Sequence, residues 1–128
     1  MLAENTVLTG RRAITRSYAK INLTLDVLSK RENGYHDIKM IMQTVSLFDL
    51  ILVDKTHRGI SISTNLPYLP CNEKNIAYKA ADAFLKATGI RGGAKIVIHK
   101  NIPVAAGLAG GSGNCAAVLT AINMLHGN

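Results

Sequence analysis

The chain has 128 residues and a mass of 13.7 kDa, the size of one compact domain with no room for a second core of ordinary dimensions. Hydrophobic residues make up 48% and charged residues 18%, which supports a packed core and excludes the disordered, collagen-like and disulfide-scaffold classes. Lys and Arg number 15 against 8 Asp and Glu, leaving a net charge of +7, and that balance favours anionic partners: phosphate esters, nucleotides, RNA or an anionic membrane surface.

In chain order, Met1 to Arg16 carries Glu4, Arg11, Arg12 and Arg16 but no apolar block, so it is not an ordinary secretory signal and reads as a mobile basic arm. From Ala19 the sequence alternates. Ala19, Ile21, Leu23, Leu25 and Val27 share one parity and Lys20, Asn22, Thr24 and Asp26 the other, the pattern of a half-buried strand. Lys30-Arg31-Glu32-Asn33-Gly34 is a polar break whose Asn-Gly favours a hairpin or tight turn. Ile38 to Val53 is β-branched and apolar with only Lys39 and Asp49 charged, which predicts one or two strands bending near Asp49.

Ile60 to Ser63 adds a short strand, and Leu66-Pro67-Tyr68-Leu69-Pro70 is a loop, since proline cannot donate to a ladder. Asn75 fits a helix cap, with Ile76, Ala80, Ala83, Phe84 and Ala87 at helical spacing and Gly89 as the left-handed terminator. The helix is expected from about Ile76 to Thr88. Ala94 to His99 returns to strand composition, and Asn114 to Leu125 is alanine-rich with Ala117, Ala121 and Leu125 four apart. No charge occurs from Asn101 to Leu125, a run long enough to cross a bilayer, but its proline, glycines and asparagines argue against a span. The order of strands, helix, strand, glycine loop and helix predicts an α+β fold, a mixed sheet backed by helices.

The strongest chemical signal is Pro103-Val104-Ala105-Ala106-Gly107-Leu108-Ala109-Gly110-Gly111-Ser112-Gly113-Asn114. Its glycines permit close backbone approach and positive φ, so that successive N–H groups can surround a phosphate, and the following helix adds its positive end. A flexible strand-to-helix connection would look similar. The turn lacks a Walker ending, and its match to the dinucleotide fingerprint through Gly111, Gly113 and Ala116 is weak because no strand runs straight into Gly111. Positive φ at Gly111 predicts that Gly111→Val blocks phosphates while sparing the fold.

Lys20 lies on the polar face of its strand with Asn22 pointing the same way, where a lysine suits either phosphate binding or plain solvation. Tyr35 and His36 can stack on and hydrogen-bond a base, and Tyr35 equally suits covering a core edge. Cys115 reads as a helix-start thiol or as a small buried hydrophobe. Cys71 and Cys115 have no paired spacing, and His57, His99 and His126 no ligand spacing, so no metal site is expected and a reducing cytoplasm is the setting.

Taken together, Ser17-Tyr18-Ala19-Lys20-Ile21-Asn22-Leu23, Asn33-Gly34-Tyr35-His36 and Pro103 through Asn114 resemble the motifs of the GHMP small-molecule kinases in order and spacing, from about Tyr18 onward. The likeness implies the GHMP N-terminal domain, similar to domain 2 of ribosomal protein S5. It also implies transfer of the ATP γ-phosphate, with Mg2+, to a hydroxyl of the erythritol moiety of a cytidine diphosphate conjugate in isoprenoid precursor synthesis. Under it, Pro103 to Gly113 hold the ATP phosphates and Lys20 is the catalytic lysine. Asn22 and Lys100 stand near the reacting phosphates and substrate, and Tyr35 with His36 lines the cytosine pocket. Gly113 departs from relatives that carry a hydroxyl residue there, leaving Ser112 to serve alone.

The family's catalytic aspartate lies beyond the glycine-loop helix and its second domain closes the cleft. Residues 1–128 are therefore read as the N-terminal, ATP-binding domain, inactive alone and prone to self-association. An S5-like nucleic-acid-binding module is the alternative. It is disfavoured because the basic residues are scattered without interleaved aromatics, so no specific nucleic acid and no membrane is expected as partner.

Overall fold

A computed structural model describes residues 2–30, 36–103 and 110–127. A 3-10 turn at Leu2–Asn5 precedes strands β1 (Thr6–Thr9), β2 (Arg12–Lys30), β3 (His36–Thr56) and β4 (Gly59–Thr64); helix α1 (Ile76–Thr88), strand β5 (Gly93–His99) and helix α2 (Gly110–Leu125) follow. The sheet order is β1-β2-β3-β5-β4. Only β4 and β5 run parallel, joined through α1, and the other pairs are antiparallel. The architecture is the mixed α+β sheet that the sequence predicts.

The helices cover one face. Ala13, Thr15, Ser17 and Ala19 of β2 alternate inward, as do Asp49, Ile51 and Val53 of β3. Against them pack Ile96 and Ile98 of β5 and the small faces of the helices, Ala77 and Ala81 of α1 and Ala117 and Ala121 of α2. Alanine at these positions lets the helix axes approach each other and the sheet closely, because contact side chains set the interaxial distance.

Helix α1 begins and ends where its sequence places it. The Asn75 side chain accepts the Ala77 amide at 2.9 Å, Gly89 takes φ 68, and its N–H returns to the Leu85 carbonyl at 3.1 Å. Its buried face differs from the expected one. Ala77, Ala80 and Ala81 are buried, while Ile76 is 48% exposed and Ala83 and Ala87 face solvent. The reason is tertiary: α2 and the sheet meet α1 along its alanines.

One further expectation is corrected. The basic residues near the start are not a mobile arm, because β1 and β2 form a hairpin that continues the sheet. Within it Arg12 donates to both oxygens of Asp54 at 2.7 and 2.9 Å, and the Arg16 guanidinium stands 5.5 Å from the centre of the Phe48 ring. Near Asp49 the expected one or two strands prove to be one, with a register irregularity beside that residue. Strand β3 runs from His36 to Thr56, and Asp49, opposite Ser17, is fully buried within it. The first of three register shifts along β2 and β3 falls between Tyr18, opposite Phe48, and Lys20, opposite Thr44, an irregularity of the kind that bends a strand and re-aims side chains beside functional sites.

Candidate functional site

The chemistry expected of the sequence converges where β5 ends and α2 begins. Beyond His99, Lys100 is held by Asn65 through a pair of bonds: the Lys100 amide donates to Oδ1 at 2.7 Å and Nδ2 donates to the Lys100 carbonyl at 3.1 Å. Asn101 then donates its side-chain amide to the Phe48 carbonyl at 2.9 Å. Pro103 is exposed. Val104, Ala105, Ala106, Gly107, Leu108 and Ala109, half of the expected phosphate turn, lie outside the described residues.

The description resumes with Gly110, already helical. Helix α2 therefore starts four residues before the expected Asn114, and Gly110, Gly111, Ser112 and Gly113 form its first turn. The amides of Gly110, Gly111 and Ser112 thus have no acceptor within the helix, and no acidic residue stands in this first turn, the arrangement that favours an anion at a helix start. Gly111 takes helical rather than left-handed backbone, and a Cβ there would meet nothing within 4 Å. The positive-φ argument for Gly111→Val therefore fails. Cys115 falls in the second turn and is partly buried, which fits the small hydrophobe.

Beneath this helix start lies a polar cluster that the sequence reading missed. The Asp49 carboxylate accepts the Asn101 and Ile102 amides at 2.7 and 2.8 Å on Oδ1. On Oδ2 it accepts the Lys100 ammonium at 2.6 Å and the Asn114 Nδ2 at 2.9 Å. Lys100 closes the triangle by donating to Asn114 Oδ1 at 3.0 Å. Burial pushes the Asp49 carboxyl up, but the Ile102 amide, Lys100, Asn114 and the Asn101 amide together hold it below the usual carboxylate range. A signal for this existed. Asp49 shares its parity with Ile51 and Val53 in an apolar run, and a charge at a core position demands partners.

The expected site residues separate into three groups. Lys20 stands exposed on β2, three residues past Ser17, on which α2 rests through Gly113. Lys100 is buried, its ammonium given to Asp49 and Asn114 rather than to solvent. Asn22 and His36 have strand backbone, while their side chains, like all of Tyr35, lie outside the described residues. No group of three or more His, Cys, Asp or Glu able to hold a metal occurs among the described residues, and no helix among them is long and apolar enough to cross a membrane.

Known proteins match this chain in sequence and fold. Residues 75–128 fit the family described as GHMP kinases N terminal domain. A solved structure of 4-(cytidine 5'-diphospho)-2C-methyl-D-erythritol kinase superposes with TM-score 0.78 at 38% identity, over 89% of this chain and 41% of that one. The fold is that of the GHMP kinase N-terminal domain. Among curated relatives, the 4-diphosphocytidyl-2-C-methyl-D-erythritol kinase of Clostridium kluyveri is 51% identical over 113 residues, 88% of this chain and 40% of that protein. The Clostridium perfringens kinase of the same name is 55% identical over 111 residues, 86% of this chain and 38% of that protein. The chain thus spans about 40% of the length of the curated relatives it matches. Within the GHMP fold, the α2 start is the described element best built for an anion, and the Asp49 cluster secures it to the sheet.

Proposed function

We propose that residues 1–128 form the ATP-binding N-terminal domain of a kinase that phosphorylates the erythritol hydroxyl of 4-diphosphocytidyl-2-C-methyl-D-erythritol in isoprenoid precursor synthesis. The observation that carries this reading is the 51% identity, over most of the chain, to a kinase of that name. The free amides of the α2 start and the net charge of +7 support it.

Phosphoryl transfer asks a protein chiefly to position its reactants and to neutralise spreading negative charge. The segment from Pro103 to Gly113 holds the ATP phosphates, with the amides of Gly110, Gly111 and Ser112 directed at them. Lys20 supplies a compact positive charge at the transferring phosphoryl group, and Asn22 orients the substrate on the same strand. Tyr35 and His36 stack on and hydrogen-bond the cytosine. Lys100 contributes from below, by fixing the chain that leads into the turn. Mg2+ bound with the nucleotide would supply charge neutralisation at its phosphates. The free cysteines Cys71 and Cys115 accord with a reducing, cytoplasmic setting.

The test uses the natural protein whose reading frame contains this chain, supplied with Mg-ATP and the cytidyl substrate. The expected result is ADP with a singly phosphorylated product, and a loss of at least about a hundredfold in kcat for Lys20→Ala, the scale of removing one transition-state charge contact. Failure to phosphorylate, together with sub-micromolar and sequence-selective RNA binding at physiological salt, would establish the nucleic-acid module instead.

A further inference from the structure

We propose that Asp49 is a positioning residue for the phosphate-binding turn: one buried carboxylate holds the chain on both sides of that turn, so its entry and its helix start keep a fixed relation. This rests on the ATP-binding reading and adds a residue to it that no phosphate would touch.

The geometry divides the work between the two oxygens. Oδ1 takes the Asn101 and Ile102 amides, which belong to the chain entering the turn. Oδ2 takes Lys100 from that same side and Asn114 from the far side, on α2. Three stretches distant in sequence thus meet at one group. The Asn114 amide is fixed in orientation, since its oxygen faces Lys100 and its nitrogen faces Asp49. Asp49 has no exposed surface and the Lys100 side chain retains 6%, so both charges are out of water.

A buried ion pair is a poor device for stability alone, because apolar side chains of similar volume stabilise as well or better. What the pair supplies is direction. Hydrogen bonds to a carboxylate fix both angle and distance, whereas apolar contacts allow sliding. Helix-start amides aimed at an anion lose affinity quickly when their helix shifts against the opposing wall, so directional fixing of α2 to the β5 exit acts on the phosphate even though Asp49 never meets it.

The experiment measures Mg-ATP binding to the natural protein whose reading frame contains this chain by titration calorimetry, alongside melting temperature and amide hydrogen exchange. Asp49→Asn keeps the side chain's size but gives up the charge and one acceptor. We expect its ATP dissociation constant to rise about tenfold, the scale of losing a hydrogen bond to a charged group, with exchange at the Asn101 and Ile102 amides accelerating. Asn114→Ala removes the α2 tether alone and leaves the other Asp49 bonds in place. It should raise the dissociation constant severalfold with a modest fall in melting temperature, since a buried hydrogen-bonding partner is removed, and it keeps the question decidable if Asp49→Asn fails to fold. Ile62→Ala, in the core at the β4 edge, is the control: it should lower the melting temperature without moving the dissociation constant. Unchanged ATP affinity in Asn114→Ala and in folded Asp49→Asn would overturn the positioning role alone. Absence of ATP binding by the unaltered protein would overturn the ATP-binding reading, and this inference with it.

Discussion

A Cβ placed on Gly113 would stand 2.8 Å from the Ser17 hydroxyl oxygen. Gly113 is in the first turn of α2 and Ser17 is buried on β2, so this contact sets how closely the helix start sits on the sheet. Replacing glycine by alanine inside a helix gains about 1 kcal/mol of propensity, but here the gain is opposed by displacing a buried hydroxyl. Gly113→Ala is expected to be near neutral, and in a Ser17→Ala background it should stabilise by about 1 kcal/mol. Urea unfolding of the four-member cycle measures this. Equal effects of Gly113→Ala in both backgrounds would mean that Ser17 does not limit the approach.

The same contact explains what the sequence did and did not disclose. Helix α1 was legible because its signals are local: a side-chain cap at Asn75, helical spacing, and a glycine at the left-handed terminus. The start of α2 was not, since three glycines in four residues argue against helix on propensity. They are helical because tertiary contacts outweigh that cost: Gly113 fits over Ser17 and Asn114 is bound to Asp49 and Lys100. Lys20 was placed on the exposed parity by simple alternation. The buried cluster around Asp49 was not legible because its partners lie some fifty residues or more away, beyond the reach of any local pattern.

Asn75 is a cap with a second duty. Its Oδ1 accepts the Ala77 amide at 2.9 Å while Nδ2 donates to the Pro70 carbonyl at 3.0 Å, tying the loop to the helix it starts. Asn75→Ala should therefore destabilise toward the upper end of the ordinary capping range, about 2 kcal/mol. Asn75→Asp keeps the acceptor and loses the donor, and should recover about half of that loss. Denaturant midpoints of the two variants check the order, and a larger loss for Asp than for Ala would contradict it.

The Asp49 cluster also fixes an acid response. In the folded chain the carboxyl is held below its ordinary range, so the unfolded chain takes up a proton first as pH falls. The stabilisation is fully present above the unfolded value of about 3.9 and is lost as pH drops through the lower folded value. Unfolding free energy should decline on acidification in that window, and Asp49→Asn should remove part of the slope. An unaltered slope in a folded Asp49→Asn variant would assign the acid response to other carboxylates.

His126 gives a second window with the same sign. It follows α2, stacked on Phe84 with ring centres 6.3 Å apart. A helix C-terminus ordinarily favours a cation, but Lys55 already donates to the Leu125 carbonyl at 3.2 Å. Burial first and the Lys55 charge second push the imidazole below its usual value. The unfolded chain then binds the proton more readily, and stability should fall as pH descends from about 6.5. His126→Gln should flatten that part of the profile. A stability that rises on acidification there would show the helix end prevailing over burial and Lys55.

Gly111 separates stability from binding. It occupies the first turn of α2 in helical backbone, with open space where a Cβ would be. Gly111→Ala therefore has no steric penalty within the chain, and it removes the backbone freedom that glycine brings to the unfolded state. Stability should rise by up to about 1 kcal/mol, with a higher melting temperature. Under the proposed function the same open space is where the ATP phosphates approach the free amides of the helix start, and a methyl group there holds the anion back. Mg-ATP affinity should fall by about tenfold, comparable to losing one charge-assisted hydrogen bond. Opposite signs from a single methyl group distinguish a ligand-facing surface from a structural one. A variant that is both more stable and unimpaired in ATP binding would show that phosphates do not approach α2 at Gly111.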